Sequence, residues 1–298
     1  MAELLYDQQD RPVVVVAGAR RHVPQPMLDR EEGPCPFCPG NEALAGLELD
    51  RRELYSGGPW QARAIRNKYP VLHDGPGQHA HGAHEVLVWA PDHSAHLGSG
   101  DIDAATVALE LLADRVSANF AQGWPCALPL INNGTLAGAS QPHPHAQVLS
   151  MGFVPPRLDL EADIAQEADH CAYCHPATDL VVHQSANYTL QVTGLPSVPY
   201  EILLFPREHQ ARQAHDQGTR ELAKLLDWAV REATARARTE AFNLIWHLAP
   251  LGAVGFHWHV HLLARRVSPG ALEYGAGLVV LSSTPEEYAA ELRAVQPR

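Results

Sequence analysis

"PHPHAQ", residues 142–147, places two histidines and a glutamine at alternate positions with prolines interleaved. Side chains two apart in an extended strand share a face, so His143, His145 and Gln147 are expected to project together. "HWHVH", residues 257–261, repeats the device with His257, His259 and His261. Two strands with the same polar face, so far apart in the chain, raise the question of whether the fold is built twice.

The flanking sequence repeats in the same order. Each strand follows a Cys-x-x-Cys pair ("CPFC", 35–38; "CAYC", 171–174), a strand-like run ending in Pro and a nearby His ("APDHS", 90–94; "FPREH", 205–209), an amphipathic stretch and another apolar run. The step is 116 residues from His93 to His209 and 114 from His143 to His257, and a period kept over such distances marks an internal duplication. Hydrophobic periodicity predicts strands near 13–19, 84–90, 126–132, 145–153, 200–206, 242–249 and 257–265. It predicts long helices over 101–122 and 217–238, a connector helix over 157–170 and a closing helix capped by Thr284. The halves divide as 1–156 and 157–298. The step between the Cys-x-x-Cys pairs is longer, 136 residues, so 39–83 is expected to hold an insertion.

With 34 acidic and 22 basic residues the net charge is -12, which disfavours non-specific binding to nucleic acid or anionic membranes. No apolar stretch approaches a membrane span and the first residues do not resemble a secretory signal, so a cytoplasmic protein is expected. Four of the five cysteines fall in the two Cys-x-x-Cys pairs, a spacing that in a reducing compartment suggests metal before disulfide. Cys126, in "GWPCALPL", reads as a small buried hydrophobe.

The duplication supplies two thiolates and two imidazoles per half: Cys35, Cys38, His93 and His143, then Cys171, Cys174, His209 and His257. Tetrahedral zinc accepts this set, and a site with all four positions filled by protein is structural. With His143 as a ligand, His145 is left free on the same face. A neutral imidazole attacks phosphorus readily and leaves again once phosphorylated.

"NNGTLAGASQPHPHAQ" (132–147), with "CPFCPGN", "NKYP" and "APDHS", resembles the galactose-1-phosphate uridylyltransferase family, the nucleotidyl-transferring branch of the histidine-triad superfamily. The resemblance implies an α+β fold of two histidine-triad-like halves, each an antiparallel sheet with a packed helix, and a homodimer. It makes His145 the nucleophile that forms a nucleotidyl-histidine, with Ser140, Gln147 and Asn132 at the phosphate. Glutamine at 147, where the hydrolase branch usually has a third histidine, cannot shuttle a proton and favours transfer over hydrolysis. Arg20 matches one phosphate-contacting arginine of the family; the second falls on Val23. Asn67 borders the nucleotide.

For the second half the resemblance implies a further site for iron or zinc at Glu161, His247, His259 and His261. Related nucleotide-sugar phosphorylases instead carry the second Cys-x-x-Cys site with a histidine matching His257. Both ligand sets are present and share no residue. On the sugar side Glu273 is kept, the family's tyrosine falls on Leu272, and "GALEYGAG" is similar to the phosphorylases. The implied reaction moves a nucleoside monophosphate from a nucleotide sugar to a sugar 1-phosphate. The alternatives are a phosphorylase that uses inorganic phosphate on a nucleotide sugar or dinucleoside polyphosphate, and a metal-stabilised nucleotide-binding protein without turnover.

Overall fold

A computed structural model describes residues 2–8, 12–17, 33–74, 80–212 and 218–297. Strands β1 (Ala2–Tyr6) and β2 (Pro12–Ala17) form a separate antiparallel ribbon. The first half continues with β3 (Glu48–Glu53), β4 (Trp60–Arg66), β5 (Gly82–Val88), α1 (Ile102–Ala121), β6 (Cys126–Asn133) and β7 (His145–Met151). Helix α2 (Pro156–Glu167) leads to β8 (Val181–Gln184), β9 (Tyr188–Val192), β10 (Ile202–Pro206), α3 (Thr219–Ala237), β11 (Phe242–His247) and β12 (His259–Ala264). Short α4 (Ala271–Ala276) and α5 (Pro285–Arg293) close the chain.

One ten-stranded antiparallel sheet results, in the order β3-β4-β5-β7-β6-β11-β12-β10-β9-β8. Read outward from the β6–β11 seam, the two directions are the same arrangement of five strands, as the duplication requires. The expected insertion at 39–83 is therefore corrected in part: it contains β3 and β4, the counterparts of β8 and β9. Hydrophobic alternation could not reveal β3, because "ELDRRE" is an edge strand held by charge. Glu48 pairs with Arg51 at 2.5 Å and with buried Arg63 of β4 at 2.7 Å, and Arg52 reaches Asp114 of α1.

Both long helices lie on one face of the sheet. Helix α1 starts where Asp101 accepts from the Ala104 N–H at 3.0 Å, which satisfies a donor that the helix leaves open. Its Ala105, Ala108, Leu109, Leu112 and Val116 recur at helical spacing and are buried. They meet Leu222, Leu225, Leu226 and Ala229 of α3 and the inward side chains of the strands, such as Ala64, Leu87, Ala146, Val148, Leu244 and Val260, in one continuous core. Helix α5, capped by Thr284 in a reciprocal capping box, covers β8 and β9 with Tyr288, Ala289 and Leu292. Removing this apolar surface from water is the main driving force of the fold.

A polar tie crosses between the halves. Gly98 and Gly100 have φ of +92° and +88°, a region open to glycine at little cost, and this lets both of their N–H groups turn toward buried Asp227 of α3, at 2.7 and 3.0 Å from one carboxylate oxygen. Asp227→Ala would strand two donors and should cost about 1–3 kcal/mol, with Asp227→Asn costing less. Urea unfolding tests this: an alanine variant with an unchanged midpoint would remove the tie from the account.

Candidate active site and metal centres

The sheet face opposite the long helices carries the polar residues. In β7 alternation sends Ala146 and Val148 into the helix-covered core, so His145 and Gln147 point the other way. His143 is wholly buried, and its Nε2–H donates to the Ala90 carbonyl at 2.7 Å. This leaves Nδ1 facing Cys35 Sγ at 3.7 Å and Cys38 Sγ at 3.8 Å, while His93 Nε2 stands 3.0 Å from Cys38 Sγ.

The second half repeats the geometry. His257 Nε2–H donates to the Pro206 carbonyl at 2.9 Å, and its Nδ1 lies 3.3 Å from Cys171 Sγ and 3.7 Å from Cys174 Sγ, with His209 Nδ1 3.5 Å from Cys174 Sγ. Bonds of about 2.0–2.3 Å to a tetrahedral ion imply donor separations of about 3.6 Å, so both sets fit a metal ion. Burial, then the neighbouring thiol, push Cys38 and Cys174 up, and a bound cation would reverse that preference.

Beside the second knuckle a third cluster joins Glu161, His247, His259 and His261, whose ligand atoms all lie within 4.8 Å of one another. Both ligand sets of this half are thus assembled at once, separated by Tyr173, whose ring stacks on His259 at 4.6 Å. Glu161 accepts from His247 Nδ1 at 2.7 Å; burial opposes its charge, but His247 and Arg157 hold it at about 2. Burial pushes His259 down to about 3. His261 Nδ1–H donates to buried Glu201 at 2.6 Å, and its Nε2 is buried without a partner among the described residues. An orphaned imidazole nitrogen backed by a carboxylate is the arrangement of a metal ligand, so this cluster too could hold an ion.

Among the described residues, His145 belongs to none of these three ligand sets. Its Nδ1–H donates to the His143 carbonyl at 2.9 Å, which leaves Nε2 with its lone pair, and burial lowers the ring's pKa so that it stays neutral. Phe37 of the first knuckle lies against it, with ring centroids 5.5 Å apart. His145 lines a cleft with Trp89, His96, Asn132, Gln141 and Phe242. Asn132 accepts from Asn243 Nδ2 at 2.8 Å across the seam, and its own NH2 remains to donate.

Gln147 and Asn67 are brought together by His84, which the sequence reading missed. The Val71 N–H donates to His84 Nδ1 at 3.2 Å, so Nε2 carries the hydrogen and donates to Gln147 Oε1 at 2.8 Å. Asn67 Nδ2 lies 3.1 Å from the same nitrogen. With its oxygen engaged, Gln147 has its NH2 left to donate. Ser140 is exposed in the loop before β7 and does not line the cleft. Glu273 is likewise absent from it and accepts from the Gly270 N–H at 2.8 Å as the cap of its own helix. Arg20 lies outside the described residues.

The resemblances follow the same lines. An ADP-glucose phosphorylase of Arabidopsis thaliana is 27% identical, over 88% of this chain and 82% of that protein. A galactose-1-phosphate uridylyltransferase of Thermotoga maritima is 23% identical over 99% of each. Among solved structures, an ADP-glucose phosphorylase of Arabidopsis thaliana with bound ADP-glucose superposes with a TM-score of 0.78 at 24% identity, over 99% of this chain and 100% of that one. A uridylyltransferase superposes with a TM-score of 0.81 at 23% identity, over 99% and 98%; these two show the shared fold. The profile of the galactose-1-phosphate uridyl transferase N-terminal domain matches residues 5–155, and with half of its length so matched the chain belongs to the galactose-1-phosphate uridylyltransferase family.

Proposed function

We propose that the chain is a nucleotidyltransferase working by double displacement, with a nucleotide sugar as donor. The observation that carries this is the His145 hydrogen bond to the His143 carbonyl, which fixes one tautomer and presents Nε2 as the nucleophile. The Nε2 lone pair attacks the α-phosphorus, the phosphorus–oxygen bond to the sugar phosphate breaks, and its electron pair leaves with the sugar 1-phosphate. In the second half-reaction an oxygen of the acceptor's phosphate attacks the same phosphorus and Nε2 regains its pair. The Nδ1–H stays on the carbonyl throughout, and the free NH2 groups of Gln147 and Asn132 receive the charge that develops on the phosphoryl oxygens, with Arg20 added by the resemblance; Ser140, exposed outside the cleft, is left out of this geometry.

Asn67, which lies beside His84 as Gln147 does, borders the nucleotide. Residues 1–156 supply this chemistry and 157–298 the second set of metal centres with Glu273 on the sugar side. The Cys2His2 sets suit structural zinc, which cross-links knuckle to sheet; the softer thiolates and the closed ligand count favour it. The Glu161 cluster, all imidazole and carboxylate, suits zinc or iron. The homodimer implied by the resemblance and the cytoplasmic location expected from the sequence belong to the same reading. Among the described residues no helix is long and apolar enough to cross a membrane.

One feature favours inorganic phosphate as the acceptor, the phosphorylase reading: Leu272 stands beside Glu273 where the uridylyltransferases have a tyrosine. The metal sets do not separate the two, since both are assembled. The transfer to sugar 1-phosphate remains the competing form of the same mechanism.

Intact-protein mass spectrometry after mixing with UDP-glucose or ADP-glucose, without acceptor, should show a gain of one nucleoside monophosphate, abolished in His145→Gly with metal content unchanged. Nucleotide binding with no mass gain from either donor would leave a binding protein without turnover. Because burial lowers His145 below its ordinary 6.5, the rate of adduct formation should stay level as pH falls through 6.5 and drop only at lower pH; a midpoint at or above 6.5 would contradict the buried-nucleophile geometry. Cys35→Ser should lower metal stoichiometry and melting temperature together, since binding energy of a structural ion is folding energy; a variant unchanged in both would refute the first knuckle.

A further inference from the structure

The cleft beside His145 is lined by one titratable side chain that neither the ligand sets nor the proposed chemistry uses, His96. Its position is built rather than incidental. Ala95 and Leu97 on either side are buried, and the following Gly98 and Gly100 are held by Asp227. The imidazole itself is exposed, and its Nδ1–H donates to the Leu97 carbonyl at 2.7 Å. With Nδ1 so committed, Nε2 is the polar atom that His96 offers to the cleft.

The other half shows what a different residue does at the same place. Arg212 follows His209 by three positions, as His96 follows His93. The Arg212 guanidinium donates to the Ala249 carbonyl at 2.9 Å and the Pro250 carbonyl at 3.1 Å and lies 4.4 Å from the Phe120 ring. It turns its donors into the protein. His96 is shorter, makes one bond to its own loop, and leaves a cleft open next to Asn132 and His145.

We propose, building on the nucleotidyl-His145 reading, that His96 is a binding residue of the phosphate subsite through which the sugar phosphate leaves and the acceptor enters. With its ring hydrogen on Nδ1, its Nε2 lone pair accepts from the hydroxyl of that phosphate in its monoprotonated form. The same subsite serves both half-reactions, because the acceptor's attack retraces the path of the leaving group. Hydrogen phosphate and a sugar phosphate present the same group to His96, and the test separates them.

Nucleotidyl-enzyme is prepared with whichever of UDP-glucose or ADP-glucose labels the wild type, freed of donor, and discharged with either inorganic phosphate or glucose 1-phosphate while the adduct is followed by mass. His96→Ala should melt as the wild type does and load more slowly, reaching the same final label under excess donor, and once freed of donor should need about 10- to 100-fold more acceptor for half-maximal discharge, the scale of a lost hydrogen bond to a charged group. His96→Gln, which keeps a hydrogen-bonding side chain, should recover part of the loss. The acceptor whose discharge carries the defect is the occupant of the subsite. Discharge of His96→Ala within twofold of wild type with both acceptors overturns the proposal. A wild-type chain that takes no label overturns the underlying reading before any acceptor is added, and the proposal with it.

Discussion

The candidate site depends on what the His143 backbone and ring do together. The ring is fixed by its Nε2–H bond to Ala90, which turns Nδ1 toward the two cysteines; the carbonyl of the same residue fixes the His145 tautomer. One residue therefore aligns a candidate metal knuckle and the proposed nucleophile. The proline on each side limits the backbone angles available to it, so neither alignment can drift without the other.

The second half keeps this geometry and changes its chemistry. His259 donates to the His257 carbonyl at 3.0 Å as His145 does to His143. By strand register His261 corresponds to Gln147 and Glu201 to His84, and the hydrogen bond between each pair is retained. His247, opposite His259, corresponds to Asn132, which lies one step past the Ile131–Ala146 pair. The amides Gln147 and Asn132, which can donate to an anion, correspond to the imidazoles His261 and His247, which can offer lone pairs to a cation. The same backbone thus carries a donor set in one half and an acceptor set in the other, as the proposed roles require.

The groupings legible in the sequence were those whose residue types admit few uses, paired cysteines at a chelating gap and histidines at strand spacing, whereas Ser140 of the Gly-Ala-Ser run lies outside the cleft. His84 was hidden by a single residue. "HEVLVWA" and "YEILLFP" match best when Glu85 is set against Glu201, yet the pairing register sets His84 against Glu201. A slip of one position exchanges the faces of a strand, so Glu85 joins Arg115 of α1 on the covered side at 2.8 Å while Glu201 supports His261. The strand β3 was hidden for a different reason, since an edge held by ion pairs has no hydrophobic rhythm to read. His96 and Asp227 gave no signal because their roles come from where a loop of one half meets a helix of the other.

The seam between β6 and β11 also bears on how such a sheet avoids edge-to-edge pairing. Two separate five-stranded sheets would have four open edges, each a template for pairing with another chain; joined at the seam they have two. Of these, β3 is studded with Glu48, Arg51 and Arg52, and β8 is four residues long, with Arg293 of α5 donating to the Asp179 and Val181 carbonyls at 2.9 and 2.8 Å. Tandem fusion of a sheet motif thus removes half of its aggregation liability at a stroke. Selection is left with only two edges to guard, one by charge and the other by shortness and a borrowed arginine.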